Sequence, residues 1–215
     1  MAYDHDHDHD EDADHVHSDV PEPIALRVKA LQSLLVERGV IEQATIDELV
    51  DRYEHRVGPH TGAAVVARAW IDEEFRVRLL RDGVEAVESV GVGNWGRGTR
   101  LVALENTAEV HNVVVCTLCS CYPWRLLGPP PVWYKSAPYR SRVVIDPRSV
   151  LADFGTTVAD NVEVRVWDSN SEVRYLVIPE RPAGTEGFSV EQLADLVTRN
   201  AMIGVEAARS PAASS

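Results

Sequence analysis

From Pro23 the apolar residues fall at helical spacing: Ile24, Val28, Leu31 and Leu35 recur every three or four positions, and Gly39 stands where a C-terminal cap belongs. A second helix is predicted with Thr45 as its cap, Asp47 and Glu48 in its first turn, and Ile46, Leu49, Val50 and Tyr53 as its apolar stripe, up to Gly58-Pro59. A third runs from Thr61 to about Trp70 with Val65, Val66, Ala69 and Trp70 inward. Asp72-Glu73-Glu74 then restarts a helix through Phe75, Leu79 and Leu80 to Gly83. Pattern alone leaves two options for these helices: core of one domain, or an arm laid on a partner.

Beyond residue 90 the pattern shortens. Arg100–Glu105, Val110–Val115, Val143–Ile145, Val162–Trp167 and Val173–Ile178 read as strands, the Pro129–Pro131 stretch as a turn, and Arg148–Phe154 as a short helix. Ser189 with Gln192 forms a capping box for a last helix carrying Val190, Leu193, Leu196 and Val197. This half is α+β, with sheets between helices. Gly91, Gly93 and Gly96 match a nucleotide-binding glycine pattern, but no clear strand precedes them and no helix pattern follows, so the segment reads as a loop.

Composition changes the picture at the N-terminus. Residues 1–20 alternate Asp and His and hold eight acids with no Lys or Arg, so most of the net charge of −13 is local to them. Such a segment reads as a solvating, disordered tail or as a metal-gathering one. The acidic balance argues against nucleic acid as a partner. No apolar run approaches the ~20 residues that span a bilayer, and no basic-then-apolar leader opens the chain, so a cytoplasmic protein is expected.

The chemistry is concentrated at Cys116-Thr117-Leu118-Cys119-Ser120-Cys121, which holds all three cysteines. Cys-x-x-Cys followed by Cys-x-Cys converges three thiols on one point and carries the peptide nitrogens of Ser120 and Cys121 to the same place. Thiolates select transition ions over magnesium or calcium. A structural zinc site needs a fourth side chain. The nearest candidate, His111, sits at the far end of an extended segment.

Val115-Cys116-Thr117-Leu118-Cys119-Ser120-Cys121-Tyr122-Pro123-Trp124 resembles the metal-binding loop of the nitrile hydratase α subunit, in the form associated with cobalt. Gly128-Pro129-Pro130, Trp133-Tyr134-Lys135, the run from Tyr139 to Val144, the run from Arg181 to Gly187, Val57-Gly58-Pro59-His60 and Glu105-Asn106-Thr107 extend the likeness from about residue 24 to residue 206. The resemblance implies one cobalt(III), or less readily iron(III), held by Cys116, Cys119 and Cys121 and by the amide nitrogens of Ser120 and Cys121. It also implies Cys119 as sulfinic acid and Cys121 as sulfenic acid. Cys121 would then act as nucleophile or base with Ser120 assisting, hydrating a small nitrile to an amide. Tyr122 and Trp124 would wall the pocket, while Asp168 and Glu172 match an acidic group around the family's site. Arg97 stands where members often carry Gln.

On the same ground the expected class is α+β, an N-terminal helical arm followed by a layered α/β/β/α domain. The divisions would be a tail at 1–22, the arm at 23–90, the catalytic domain at 91–206 and a C-terminal tail at 207–215. The implied partners are a β subunit, in αβ or α2β2 form, and a metal-loading accessory protein. Two other readings are weighed: a thiocyanate hydrolase type of subunit, whose loop is similar, and a non-catalytic structural metal-binding module.

Overall fold

In the computed structural model, residues 23–51, 58–93, 95 and 98–211 are described. The Asp/His tail, Tyr53, Val57, Gly96 and Arg97 lie outside them. Eleven helices and four strands occur among the described residues, and none of those helices is long and apolar enough to cross a membrane. The chain divides into two compact units, residues 1–47 and 48–215.

The first unit contains α1 (Pro23–Glu37) and the start of α2 (Gln43–Asp51). Gly39 at φ +65° donates its N–H to Val36, closing α1 as the glycine predicted. Helix α2 begins two residues before the Thr45 predicted as its cap. Ile24, Val28 and Leu31 of the predicted stripe are more than half exposed, so the apolar face of α1 is not covered within its own unit.

In the second unit, α3 (Pro59–Ile71) opens with Pro59 in its first turn. The carboxylates of Asp72 and Asp82 cap α4 (Glu73–Arg81) and α5 (Gly83–Glu88) by accepting from the amides of Phe75 and Glu85. Buried Val65, Val66, Phe75, Leu79 and Val87 turn these helices onto a common core, and α4 and α5 pack on strand β1 (Arg100–Glu105).

Four short strands form two parallel ladders. β1 pairs with β4 (Val173–Ile178), and β2 (Val110–Val115) pairs with β3 (Glu163–Asp168). The ladders meet through β2 and β4, and between them hold the fully buried Val113, Val115, Leu176 and Val177. Helices cover the outer sides: α4 and α5 on β1, α9 (Pro147–Asp153) on β3, and α11 (Arg199–Ile203) on β4 and β2. The result is the mixed α+β class expected.

Two elements differ from the prediction. Val143–Ile145, predicted as a strand, ends helix α8 (Ala137–Ile145). Ser136 caps that helix, Pro138 stands in its first turn, and Tyr139 and Val143, four apart, are buried, while Val144 and Ile145 are exposed. Three adjacent β-branched residues imitated a strand, but their burial has helical period. The predicted last helix is two: α10 (Val190–Ala194), with the predicted capping box, then α11 with Thr198 as its own cap. The sequence reading also gave no sign of α6 (Trp124–Leu127) and α7 (Val132–Lys135), single turns following the thiol loop.

Candidate metal centre

Strand β2 delivers the site. Its buried run Asn112–Val115 is held in register by β3, which places Asp168 opposite Val115, and Ser169 N–H donates to Val115 O at 2.7 Å. At the other end of the strand a polar network fixes its position. Asn106 Oδ1 accepts from Asn112 N–H at 2.8 Å, Asn112 Nδ2 donates to Glu105 O at 2.8 Å, and Trp167 Nε1 donates to Asn112 Oδ1 at 2.8 Å. His111 Nε2 lies 2.8 Å from Gly204 O, which engages the imidazole away from the thiols.

Past Val115 the chain turns back on itself. Cys119 N–H donates to Cys116 Sγ at 3.3 Å, closing the Cys-x-x-Cys turn. Cys116 Sγ stands 3.4 Å from Cys119 Sγ, which stands 3.3 Å from Cys121 Sγ, and all three sulfurs lie within 4.8 Å of one another. Cys116 is buried, Cys121 half-buried and Cys119 exposed, so the cluster has a closed floor and an open top.

The electrostatics separate the thiols. Hydrogen bonding from Cys121, then Cys116, together with the facing backbone amides of Ser120 and Cys121, lowers the Cys119 pKa. Burial raises that of Cys121, and the positive charge of Arg174 works against the rise. Ser120 is half-buried, and it is its backbone that faces the sulfur.

Asp168 reaches the loop directly. Its two carboxylate oxygens accept from Thr117 N–H at 2.9 Å and from the Thr117 hydroxyl at 2.6 Å, anchoring the residue after Cys116 to β3. Tyr122 is buried beneath the loop with its ring 5.1 Å from that of Tyr134, edge to face. Trp124 is half exposed at the rim. With Trp95, Arg125 and Arg174 it lines a cleft of about 150 Å³. Glu172 lies on the exposed β3–β4 turn, where its amide donates to Asn170 Oδ1 and its carbonyl accepts from Arg100 N–H. Its carboxylate is not among the groups holding the loop.

Two further residues hold the loop, and sequence reasoning gave them no role in it. Tyr134 OH donates to Cys121 O at 3.0 Å, and Tyr139 OH donates to Val114 O at 2.7 Å. Both lie in segments that carry the family likeness, Trp133-Tyr134-Lys135 and the run from Tyr139 to Val144, but nothing in their spacing tied their hydroxyls to the cysteine loop.

The sequence model of the family described as nitrile hydratase, alpha chain, matches residues 22–206. The chain belongs to that family. It is 56% identical over 190 residues to a low-molecular-weight cobalt-containing nitrile hydratase α subunit of Rhodococcus rhodochrous, covering 88% of this chain and 91% of that one. It is 44% identical to a thiocyanate hydrolase γ subunit of Thiobacillus thioparus, covering 82% of this chain and 76% of the other. A solved structure, a double mutant of an Fe-type nitrile hydratase from Comamonas testosteroni Ni1, superposes with TM-score 0.78 at 40% identity, over 89% of this chain and 93% of that one. As a nitrile hydratase α chain, this molecule brings together Cys116, Cys119, Ser120 and Cys121 in one loop and braces that loop with Asp168.

Proposed function

We propose that this chain is the metal-bearing subunit of a cobalt nitrile hydratase, which adds water across the C≡N bond of a small nitrile to give the amide. The observation that carries the reading is the convergence of three sulfurs and two backbone amides within one six-residue loop. The 56% identical relative named as cobalt-containing supports the choice of metal.

The donor set fits such an ion. Three soft thiolate donors within 4.8 Å of one another, with the backbone amides of Ser120 and Cys121 facing Cys119, would hold a transition ion in preference to magnesium or calcium. Among the described residues no fourth His, Cys, Asp or Glu joins the cluster. When bound, a trivalent ion with one free position supplies Lewis acidity toward a nitrile nitrogen or a water.

The chain's residues set the geometry around that chemistry. Buried Cys116 is the floor. In our reading Cys119 is oxidised to sulfinic acid and Cys121 to sulfenic acid, and the Cys121 sulfenate oxygen serves as nucleophile or base with Ser120 assisting. Arg174 offsets the negative charge at Cys121, Tyr122 and Trp124 wall the cleft, and Asp168 holds the loop. Glu172 belongs to the polar surround in the same reading.

A β subunit closes the site. Leu118, at the loop tip, is 86% exposed, and α1 presents its uncovered apolar face; both suit burial against a second chain in an αβ or α2β2 enzyme. Of the arm expected over 23–90, α3 packs with α6, α10 and α11, and α4 and α5 pack on β1; we read α1 and α2 as the part that makes that contact, 91–206 as the catalytic domain, and 1–22 and 207–215 as tails. Cytoplasmic residence keeps the thiols reduced until an accessory protein loads the metal.

The test is product analysis of the assembled enzyme with acrylonitrile and with thiocyanate. Amide from the nitrile supports the reading. Carbonyl sulfide and ammonia from thiocyanate, with no amide, would make the chain a thiocyanate hydrolase type of subunit. Neither product, with zinc bound to plain thiols, would leave a structural module. Full turnover by Cys121→Ser with a filled metal site would remove Cys121 from the chemistry.

A further inference from the structure

We propose that Tyr134 and Tyr139 are positioning residues that clamp the two ends of the thiol loop, presetting the spacing of its sulfurs before the metal arrives. The inference rests on the metal-loop reading above but concerns groups that touch no reacting atom. Tyr139 OH donates to Val114 O at 2.7 Å, one residue before the end of β2, and Tyr134 OH donates to Cys121 O at 3.0 Å. The clamped carbonyls bracket all three cysteines.

The clamp is rigid because its parts support each other. Both tyrosines are buried, Tyr134 completely. They sit on consecutive helices, α7 and α8, joined by Ser136, whose hydroxyl accepts from Tyr139 N–H at 3.3 Å. The Tyr134 ring packs on Tyr122 at 5.1 Å and on Tyr139 at 5.9 Å, and Trp133 packs edge to face on Tyr139 at 4.8 Å. Each phenol therefore has little freedom, and its hydroxyl fixes a backbone carbonyl. Fixing the Cys121 carbonyl sets the backbone torsions on either side of it, and with them the direction of the third sulfur relative to Cys119. Asp168 also holds Thr117, so the chain from Val114 to Cys121 is pinned at both ends and at Thr117 between them.

The experiment uses the assembled apo enzyme, reduced and kept anaerobic, with cobalt(II) chloride as the probe. Binding is followed by thiolate-to-cobalt charge-transfer absorption and by competition with a chelator. Losing one buried hydrogen bond should weaken cobalt(II) binding roughly threefold to tenfold and move the absorption band in Tyr134→Phe, with Tyr139→Phe acting in the same direction. Val150→Ala is the control: it empties part of the buried core on α9 and should lower the melting temperature while leaving band and affinity unchanged. Binding within a factor of two of wild type, with the same band, in both tyrosine variants overturns the clamp.

A second readout does not depend on the metal. Iodoacetamide alkylation of Cys119 and Cys121, followed by intact mass, should be at least threefold faster in Tyr134→Phe than in wild type. Equal rates overturn the clamp even where wild type binds no cobalt, an outcome that would count separately against the metal-loop reading.

Discussion

Asp168→Ala removes the carboxylate that ties Thr117 to strand β3 and leaves the cysteines untouched. Two hydrogen bonds are lost, at 2.9 Å from the Thr117 amide and 2.6 Å from its hydroxyl. A hydrogen bond to an ionised group contributes about 1.5–3 kcal/mol when sheltered. Here Asp168 is exposed and Thr117 half-buried, so solvent screening brings each to about 1 kcal/mol and the pair to about 2 kcal/mol. If that energy orders the loop for binding, cobalt(II) affinity falls roughly 30-fold in Asp168→Ala. Thr117→Val loses only the hydroxyl bond and should fall about fivefold. The double variant should be no weaker than Asp168→Ala, because the hydroxyl bond is already gone in the single variant. Chelator competition on the reduced apo enzyme measures all three. Asp168→Ala within twofold of wild type would refute the reasoning, and an additive double variant would show that the two residues act separately.

Gly204→Ala tests the seat of strand β2. Gly204 has φ +90°, and a Cβ there would run into the Asn112 carbonyl in the middle of that strand. Left-handed strain of about 1–2 kcal/mol plus overpacking of about 1–3 kcal/mol should appear as a loss of several kcal/mol in chemical denaturation; an unchanged midpoint would show that the strand yields easily. His111 gives a pH dependence. Burial holds its pKa below 6.5, so the unfolded chain binds the proton more readily. The stability it contributes is intact above pH 6.5 and is lost as pH falls through that value. His111→Gln should flatten the fall in melting temperature between pH 7 and 5.5, and equal slopes would remove His111 as its source. Leu118→Asp, at the exposed loop tip, should weaken assembly with the β subunit at least tenfold while the isolated chain melts unchanged; unaltered assembly by analytical ultracentrifugation would take Leu118 out of the contact.

What was legible in the sequence was chemistry at fixed spacing and burial at fixed period. The thiol loop could be read because three cysteines in six residues leave the backbone few ways to separate them. β1, β2 and β4 follow the boundaries read from their apolar runs, and the Ser189 capping box is present as written. The C-terminal end of α8 was misread because Val143-Val144-Ile145 carries the composition of a strand, and only the partners of Tyr139 and Val143 in the core decide its period. Asp168 was named from likeness, while its actual contact with Thr117 depends on the β2–β3 register, which no local pattern encodes. Tyr134 and Tyr139 were illegible for the same reason. Their hydroxyls act on carbonyls 13 and 25 residues away, through a fold that brings two one-to-three-turn helices under the loop.

Intact mass with metal analysis of this chain, co-expressed with its β subunit in cobalt-supplemented cells, decides whether the thiol loop is an oxidised cobalt centre. Close to one cobalt per chain is expected, with two added oxygens mapping to Cys119 and one to Cys121. Zinc or no metal on three unmodified thiols, in a chain that has nonetheless assembled with its partner, would contradict it.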